Sequence, residues 1–193
     1  MLSISEVASL SYWHETIKRA KEDKALADFI EQQLKKCARE IHDLVARPSY
    51  NPYYRMGRFR LPFFREREAV IKVPASIGGI IHNLAEVLPE MKERLDPSIK
   101  TASAVFHEIT YKYGIPVVEM EFVDEVCPEP VVEEDLSWTL MIDAEQVGVT
   151  ADGRLLAYDF AEEALDEEDM HLCYDRFNKR HEFALYWNPI QGY

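Results

Sequence analysis

The residues best suited to chemistry lie between Arg47 and Arg67, where six arginines and six aromatic residues accompany one acid, Glu66. Guanidinium groups bind phosphates and carboxylates through paired hydrogen bonds, and aromatic faces stack on bases or on other rings. Six positive charges against one negative give this arginine-aromatic segment a net charge of +5, in a chain whose formal charge is −13. We therefore predict ligand or interface contacts from Arg55, Arg58, Arg60, Arg65, Tyr53, Tyr54 and Phe59.

Two kinds of partner suit such a segment. A nucleic acid or phosphate ligand would place phosphates on the arginines and bases on the rings. Alternatively, the segment could lie against carboxylates of its own chain or of a second copy, with its rings packed in a core. We favour this internal or homodimer contact, because the strongly negative field of the whole chain opposes nucleic-acid binding.

The negative charge is concentrated in one stretch, which we call the acidic block. Residues 115–169 hold 18 Asp/Glu and a single basic residue, Arg154. Residues 1–114 instead hold 18 Lys/Arg and 15 Asp/Glu. A block of this kind repels nucleic acid, keeps a surface solvated, and attracts basic proteins or cations. It predicts a basic protein as partner, as for acidic inhibitors and immunity proteins.

Histidines and carboxylates at metal-binding spacing are sparse. Glu168 and His171 have the spacing of a di-iron bundle, but such a site needs two pairs of this kind and the sequence has one. His82 and Glu86 are four residues apart and would equally form a surface pair on a helix. His107 begins an HExxH-like pattern that lacks its second histidine. We predict no metal site, and leave open whether the three histidines converge.

A second kind of chemistry could come from carboxylates near a predicted hairpin, since acids on strands can hold two metal ions for phosphodiester cleavage. No lysine occurs in residues 115–169, so an acid–acid–lysine nuclease core is not visible. Nucleophile-elbow, P-loop and dinucleotide motifs are also missing from the sequence. We therefore predict no catalytic residue and no cofactor. A metal-dependent hydrolase stays as a third alternative, and its metal ligands would be Asp143, Glu145, Asp152 and Asp159.

Helices must dominate the first part of the chain. Apolar residues recur at helical spacing up to Val45, with no Gly or Pro, which favours one long or bent helix over two helices that meet near residues 22–24. Pro48 ends this run. Ser76 is a cap for the next helix, which Pro89 should kink or split. Asp96-Pro97 begins a further helix whose stripe reaches Ile109 and stops at Gly114.

Strands are predicted mainly after residue 114, although short strands are also indicated around Arg58–Leu61 and at 69–73. Residues 115–123, 137–143, 145–150, 155–158 and 182–187 are rich in β-branched or aromatic residues. Asp152-Gly153 is a hairpin turn, Asp159 a helix cap, and the stretch 162–180 contains a helix.

Helices followed by strands predict an α+β fold, with N-terminal helical hairpins packed on a small antiparallel sheet formed mainly by the C-terminal half. We expect a mostly helical part at 1–114 and an acidic, strand-rich part at 115–193, together in one domain. Neither a signal peptide nor a membrane span is expected, and three scattered cysteines suit a cytoplasmic protein. The function predicted is a non-enzymatic, acidic protein-binding module, such as an inhibitor, immunity or accessory protein of a bacterial or phage system.

Overall fold

The computed structural model describes residues 9–44, 59–65, 68–103, 106–125, 138–139, 142 and 146–174. Two helices open this part, α1 (Leu10–Glu22) and α2 (Lys24–Leu44). Asp23 separates them: its backbone is extended, and its carboxylate accepts hydrogen bonds from the amides of Ala25 and Leu26. The prediction of one long helix was wrong, because Asp23 caps a new helix where the apolar stripe continues without a break.

A four-stranded antiparallel sheet follows, made of β1 (Arg60–Arg65), β2 (Ala69–Pro74), β3 (Phe106–Lys112) and β4 (Ile115–Glu121). The strand order is β1-β2-β4-β3. Both short strands that were predicted before residue 75 are present. The next helix, α3 (Ile77–Val87), begins where Ser76 accepts a hydrogen bond from the amide of Gly79.

Pro89 splits the chain into two helices as predicted, and α4 (Pro89–Lys92) begins directly after Leu88. The next helix, α5 (Pro97–Ala102), is capped by Asp96, but it ends well before the predicted stop. Residues Phe106–Lys112 form strand β3 instead, and Tyr113 and Gly114 make the tight turn into β4 with positive φ angles of 54° and 77°. Gly114 therefore closes a hairpin rather than a helix, because this turn needs left-handed backbone.

A second, smaller sheet contains β5 (Asp124–Glu125), β6 (Val147–Val149) and β7 (Leu155–Ala157), in that order. The predicted hairpin is confirmed, with Gly153 at a φ of 87° in its turn. Helices α6 (Ala161–Ala164) and α7 (Glu167–Tyr174) complete the described chain and confirm the helix predicted there. Trp138 and Thr139 form a helical turn within the predicted strand at 137–143. The strand predicted at 182–187 lies outside the described residues.

The elements enclose a large apolar core between the helical hairpin, α3 and the four-stranded sheet, with Ile17, Leu34, Val73 and Leu84 fully buried. A second cluster fills the space among α4, α5, the small sheet and α6, and it includes Phe160. The fold class is α+β as predicted: N-terminal helices with small antiparallel sheets, five of whose seven described strands follow residue 105. Within the described ranges, no helix combines the length and apolar character needed to cross a bilayer.

Candidate functional site

The predicted contact residues fall into two groups. Tyr53, Tyr54, Arg55 and Arg58 lie outside the described residues. Phe59, Arg60 and Arg65 are described, and the first two are buried, each only 5% exposed. The Phe59 ring stacks on the imidazole of His82 with centroids 4.2 Å apart. Phe59 and Arg60 therefore belong to the interior of the fold.

Arg60 is the first residue of β1 and holds two carboxylates from distant parts of the chain. Its Nη1 lies 2.7 Å from Oε2 of Glu86, on α3. Its Nη2 is paired with Oδ1 of Asp159, which follows β7. Asp159 was predicted to cap the next helix, but that helix begins after Phe160 without a side-chain cap. The Asp159 carboxylate is bound by Arg60 instead, because a buried guanidinium needs a second acceptor.

Lys72, in the middle of β2, brings a second cation to Glu86. Its Nζ donates to both carboxylate oxygens of Glu86, at 2.9 and 2.8 Å, and to the carbonyl of Tyr158. Lys72 is 5% exposed and Glu86 is completely buried. We call this group of two cations and two carboxylates the ion cluster; its members are Arg60, Lys72, Glu86 and Asp159. The ion cluster joins β1, β2, α3 and the segment after β7.

Burial and mutual charge displace the pKa values within the ion cluster. Burial, reinforced by the neighbouring charge of Arg60, lowers the pKa of Lys72 from 10.5 to about 7. Burial alone would raise the pKa of Glu86, but Arg60 and Lys72 outweigh it and hold that pKa below its usual value. The pKa of His82 falls well below 6.5, because the ring is buried beside the same two cations. His82 is therefore a neutral imidazole at physiological pH.

Asn83 ties α3 to the sheet next to the ion cluster. Its Nδ2 donates to the carbonyls of Lys72 and Pro116, at 2.9 Å each, so one side chain links the helix to β2 and β4. Oδ1 of Asn83 and Nε2 of His82 are buried and have no hydrogen-bond partner among the residues described. Both atoms belong to nearly inaccessible side chains, so the polar character of this region extends beyond the four ionic groups.

Arg65, at the other end of β1, occupies a different environment. Its side chain is 52% exposed and pairs with Glu119 on β4. Arg154, the one basic residue of the acidic block, binds Asp152 at 2.9 Å and Glu121 at 3.0 Å in a similar exposed position. Both described arginines of the arginine-aromatic segment thus pair with a carboxylate of the acidic block.

A third group of ionic contacts holds α7 against the helices before it. The buried Asp169 carboxylate lies 2.6 Å from Nε2 of His14 and 2.6 Å from Nη1 of Arg94. Burial would raise the pKa of Asp169, but His14, the Asp166 amide and Arg94 together lower it. Lys18 binds Glu168 at 2.8 Å on the surface of the same contact.

The candidate metal ligands do not assemble in this part of the molecule. No group of three or more His, Cys, Asp or Glu side chains in the described residues could hold a metal ion. Glu86 and Glu168 are engaged in ion pairs, and Asp152 accepts from Thr150 and Arg154. The side chain of His107 lies outside the described residues, as do Asp143 and Glu145.

Sequence reasoning missed the ion cluster, although the sequence carried a signal for it. Lys72 stands in the apolar strand AVIKVP, and Glu86 near the end of the apolar helix IGGIIHNLAEV. A charged residue at an otherwise apolar position requires a buried counter-charge. Each ionic group of the cluster lies within ion-pair distance of an opposite charge, so the cluster is suited to fixing elements together.

Comparison with known proteins gives no relative: no family model, no curated protein and no solved structure matches this chain.

Proposed function

We propose that this protein is a non-enzymatic binding module whose acidic surface docks on a basic protein. The observation that supports it is the internal use of the arginine-aromatic segment, because Arg60 and Arg65 are neutralised by carboxylates of the same chain. With 35 acidic and 22 basic side chains, the chain keeps a formal excess of 13 negative charges whatever pairs form within it. Such an excess favours a cationic partner through complementary fields.

The specific form we propose is an inhibitor, immunity or accessory protein of a bacterial or phage system, acting in the cytoplasm. Proteins of this kind cover a basic surface of their target by electrostatic complementarity, which gives fast association that weakens with added salt. Cys37 and Cys173, both buried free thiols, are compatible with a reducing compartment. Nucleic acid is a weaker candidate, because Phe59 and Arg60 are engaged in the interior.

The test compares two variants with the same change in charge at different places. The first replaces exposed carboxylates of the acidic block, Asp124→Asn with Glu167→Gln; the second replaces exposed carboxylates elsewhere, Glu22→Gln with Glu90→Gln. Tagged protein captures its partner from native lysate, and affinity is then measured with the purified pair at two salt concentrations. We expect a basic partner whose binding weakens with salt, and a loss of roughly three- to tenfold for the first variant alone.

Two outcomes would overturn this proposal. Equal binding by both variants would mean that the acidic block does not form the interface. Recovery of nucleic acid, with no basic protein, would instead support a role for the arginines outside the described residues.

A further inference from the structure

Strand β3 lies at one edge of the four-stranded sheet, and no strand of the described residues pairs with its outer side. Its pairing with β4 is regular from Glu108 to Lys112, and this stretch contains neither proline nor glycine. The helices that cover the sheet, α2 and α3, pack mainly on β1, β2 and β4. The outer side of β3 therefore offers backbone groups in the conformation that a further strand needs.

The turn after β3 determines which of these backbone groups point outward. Both residues of this two-residue turn have positive φ angles, so the flanking residues Lys112 and Ile115 form a hydrogen-bonded pair. Hydrogen-bonding directions alternate along an antiparallel strand. The backbone groups of Thr110 therefore face β4, whereas those of Ile109 and Tyr111 face away from the sheet. Two amides and two carbonyls are thus directed to the outside of β3.

We propose that β3 pairs antiparallel with β3 of a second copy of this chain about a twofold axis, so that the two four-stranded sheets become one. A contact of this kind is isologous, so the same surface is used by both copies. Outward backbone groups must meet outward backbone groups, and the centre of the pairing can therefore be Ile109, Thr110 or Tyr111. The contact uses no residue of the acidic block, so it is independent of the function proposed above.

The side chains select Thr110 as the centre. In that register Glu108 faces Lys112 of the second copy, Ile109 faces Tyr111, and the two Thr110 residues face each other. Opposite charges, a β-branched residue against an aromatic one, and paired threonines are the cross-strand pairs that stabilise antiparallel sheets. With Ile109 or Tyr111 at the centre, Glu108 and Lys112 would not face each other. The strand is therefore complementary to itself in one register.

Glu108 and Lys112 are both able to make this intermolecular pair. The side chain of Glu108 is exposed, and it forms no ion pair with the described residues. Lys112 binds Glu40 at 2.6 Å with its side chain 35% exposed, and an ammonium group has two further donors to offer. The contact is short, so we expect a weak dimer with a dissociation constant of about 10–100 µM.

Sedimentation equilibrium of the full chain tests the dimer at concentrations about tenfold below and tenfold above that constant. The buffer contains about 0.15 M salt, which screens the net negative charge of the two copies. Glu108→Lys places lysines opposite each other and should weaken the dimer about tenfold. Glu90→Lys, the same change of charge at an exposed position on α4, should leave the dimer unchanged. An equimolar mixture of Glu108→Lys and Lys112→Glu should dimerise again, because opposite charges then meet.

Hydrogen exchange of the wild-type protein locates the contact without any variant. Measured by NMR at the same two concentrations, the amides of Ile109 and Tyr111 should be protected only at the higher one. The amide of Thr110 should be protected at both, because it faces β4.

Three results would overturn the proposal. The first is a chain that stays monomeric at the higher concentration, and the second is a dimer that Glu108→Lys and Glu90→Lys weaken equally. The third is protection of the Ile109 and Tyr111 amides at the lower concentration, because another segment of the same chain would then occupy the edge.

Discussion

Replacing Arg60 with methionine removes the cation that joins Glu86 to Asp159, and we expect a large loss of stability. The change keeps much of the aliphatic stem but leaves the fully buried Glu86 with Lys72 alone, and Asp159 with no partner from the ion cluster. Removing one partner of a buried ion pair costs about 3–5 kcal/mol, because the other charge stays in a poorly solvated place. That is a large share of the roughly 5–15 kcal/mol by which a domain is stable.

Arg65→Met provides the matched control in the same strand. Its side chain is 52% exposed and pairs with Glu119 near solvent, where an ion pair contributes only about 0.2–1 kcal/mol. The two variants lose the same charge and the same donors. The difference between them therefore measures burial of the ion cluster rather than net charge.

The assay is urea unfolding at pH 7, followed by circular dichroism and analysed with slopes that are checked for each variant. We expect Arg60→Met to unfold at a much lower urea concentration than Arg65→Met. If Arg60→Met does not fold, Asp159→Asn gives a milder test, with an expected loss of about 1–2 kcal/mol. A difference of less than about 1 kcal/mol between the two arginine variants would refute the argument that the cluster is buried and mutually dependent.

Three further predictions follow from other contacts. Gly79→Ala should lower the free energy of unfolding by at least about 2 kcal/mol, because a Cβ atom there would lie 2.1 Å from the carbonyl oxygen of Phe59. Gly153→Ala is strained only by its φ of 87° and should lower it by about 1 kcal/mol, as thermal unfolding of both variants would show. The pKa of Asp169 is lowered in the folded protein, so its charge contributes stability above pH 3.8 that is lost as the pH falls through the folded pKa. The difference in unfolding free energy between wild type and Asp169→Asn should therefore shrink between pH 5 and pH 2.5. A constant difference would contradict this assignment. Burial raises the pKa of Cys37 and Cys173 to about 12, so native protein at pH 8 should expose at most one of its three thiols to a disulfide reagent, and all three in denaturant.

The spacing of apolar residues correctly predicted those helices and strands in which the apolar positions are the buried ones. The apolar stripe of α3 and the cap at Ser76 are examples, since helical spacing there corresponds to burial. Phe106–Lys112 was assigned to a helix because Ile99, Phe106 and Ile109 also fit a helical stripe. Pairing with β4 decided the outcome, and a partner strand cannot be seen in a local window.

The ion cluster escaped prediction for a related reason. Arg60 and Asp159 are 99 residues apart, and nothing in their local sequences indicates that they meet. The four-residue spacing of His82 and Glu86 suited a surface pair as well as a pair of metal ligands, because that spacing is common on exposed helices. The fold buries both residues, so Glu86 takes its counter-charges from β1 and β2. Charge balance across the sequence suggested that arginines would meet carboxylates, but not which ones.

The position of Pro62 has a consequence for assembly. Among the residues that the structure describes, strand β1 is an edge of the four-stranded sheet, and the carbonyl of Phe59 accepts from the amide of Ala75 in the adjoining segment. Because hydrogen-bonding directions alternate along an antiparallel strand, Arg60, Pro62 and Phe64 direct their backbone groups outward. Proline has no amide hydrogen, so a foreign strand that docks on this edge would find a missing donor at its centre. This edge is protected against sheet extension, so a second copy that met β1 would associate with it through side chains.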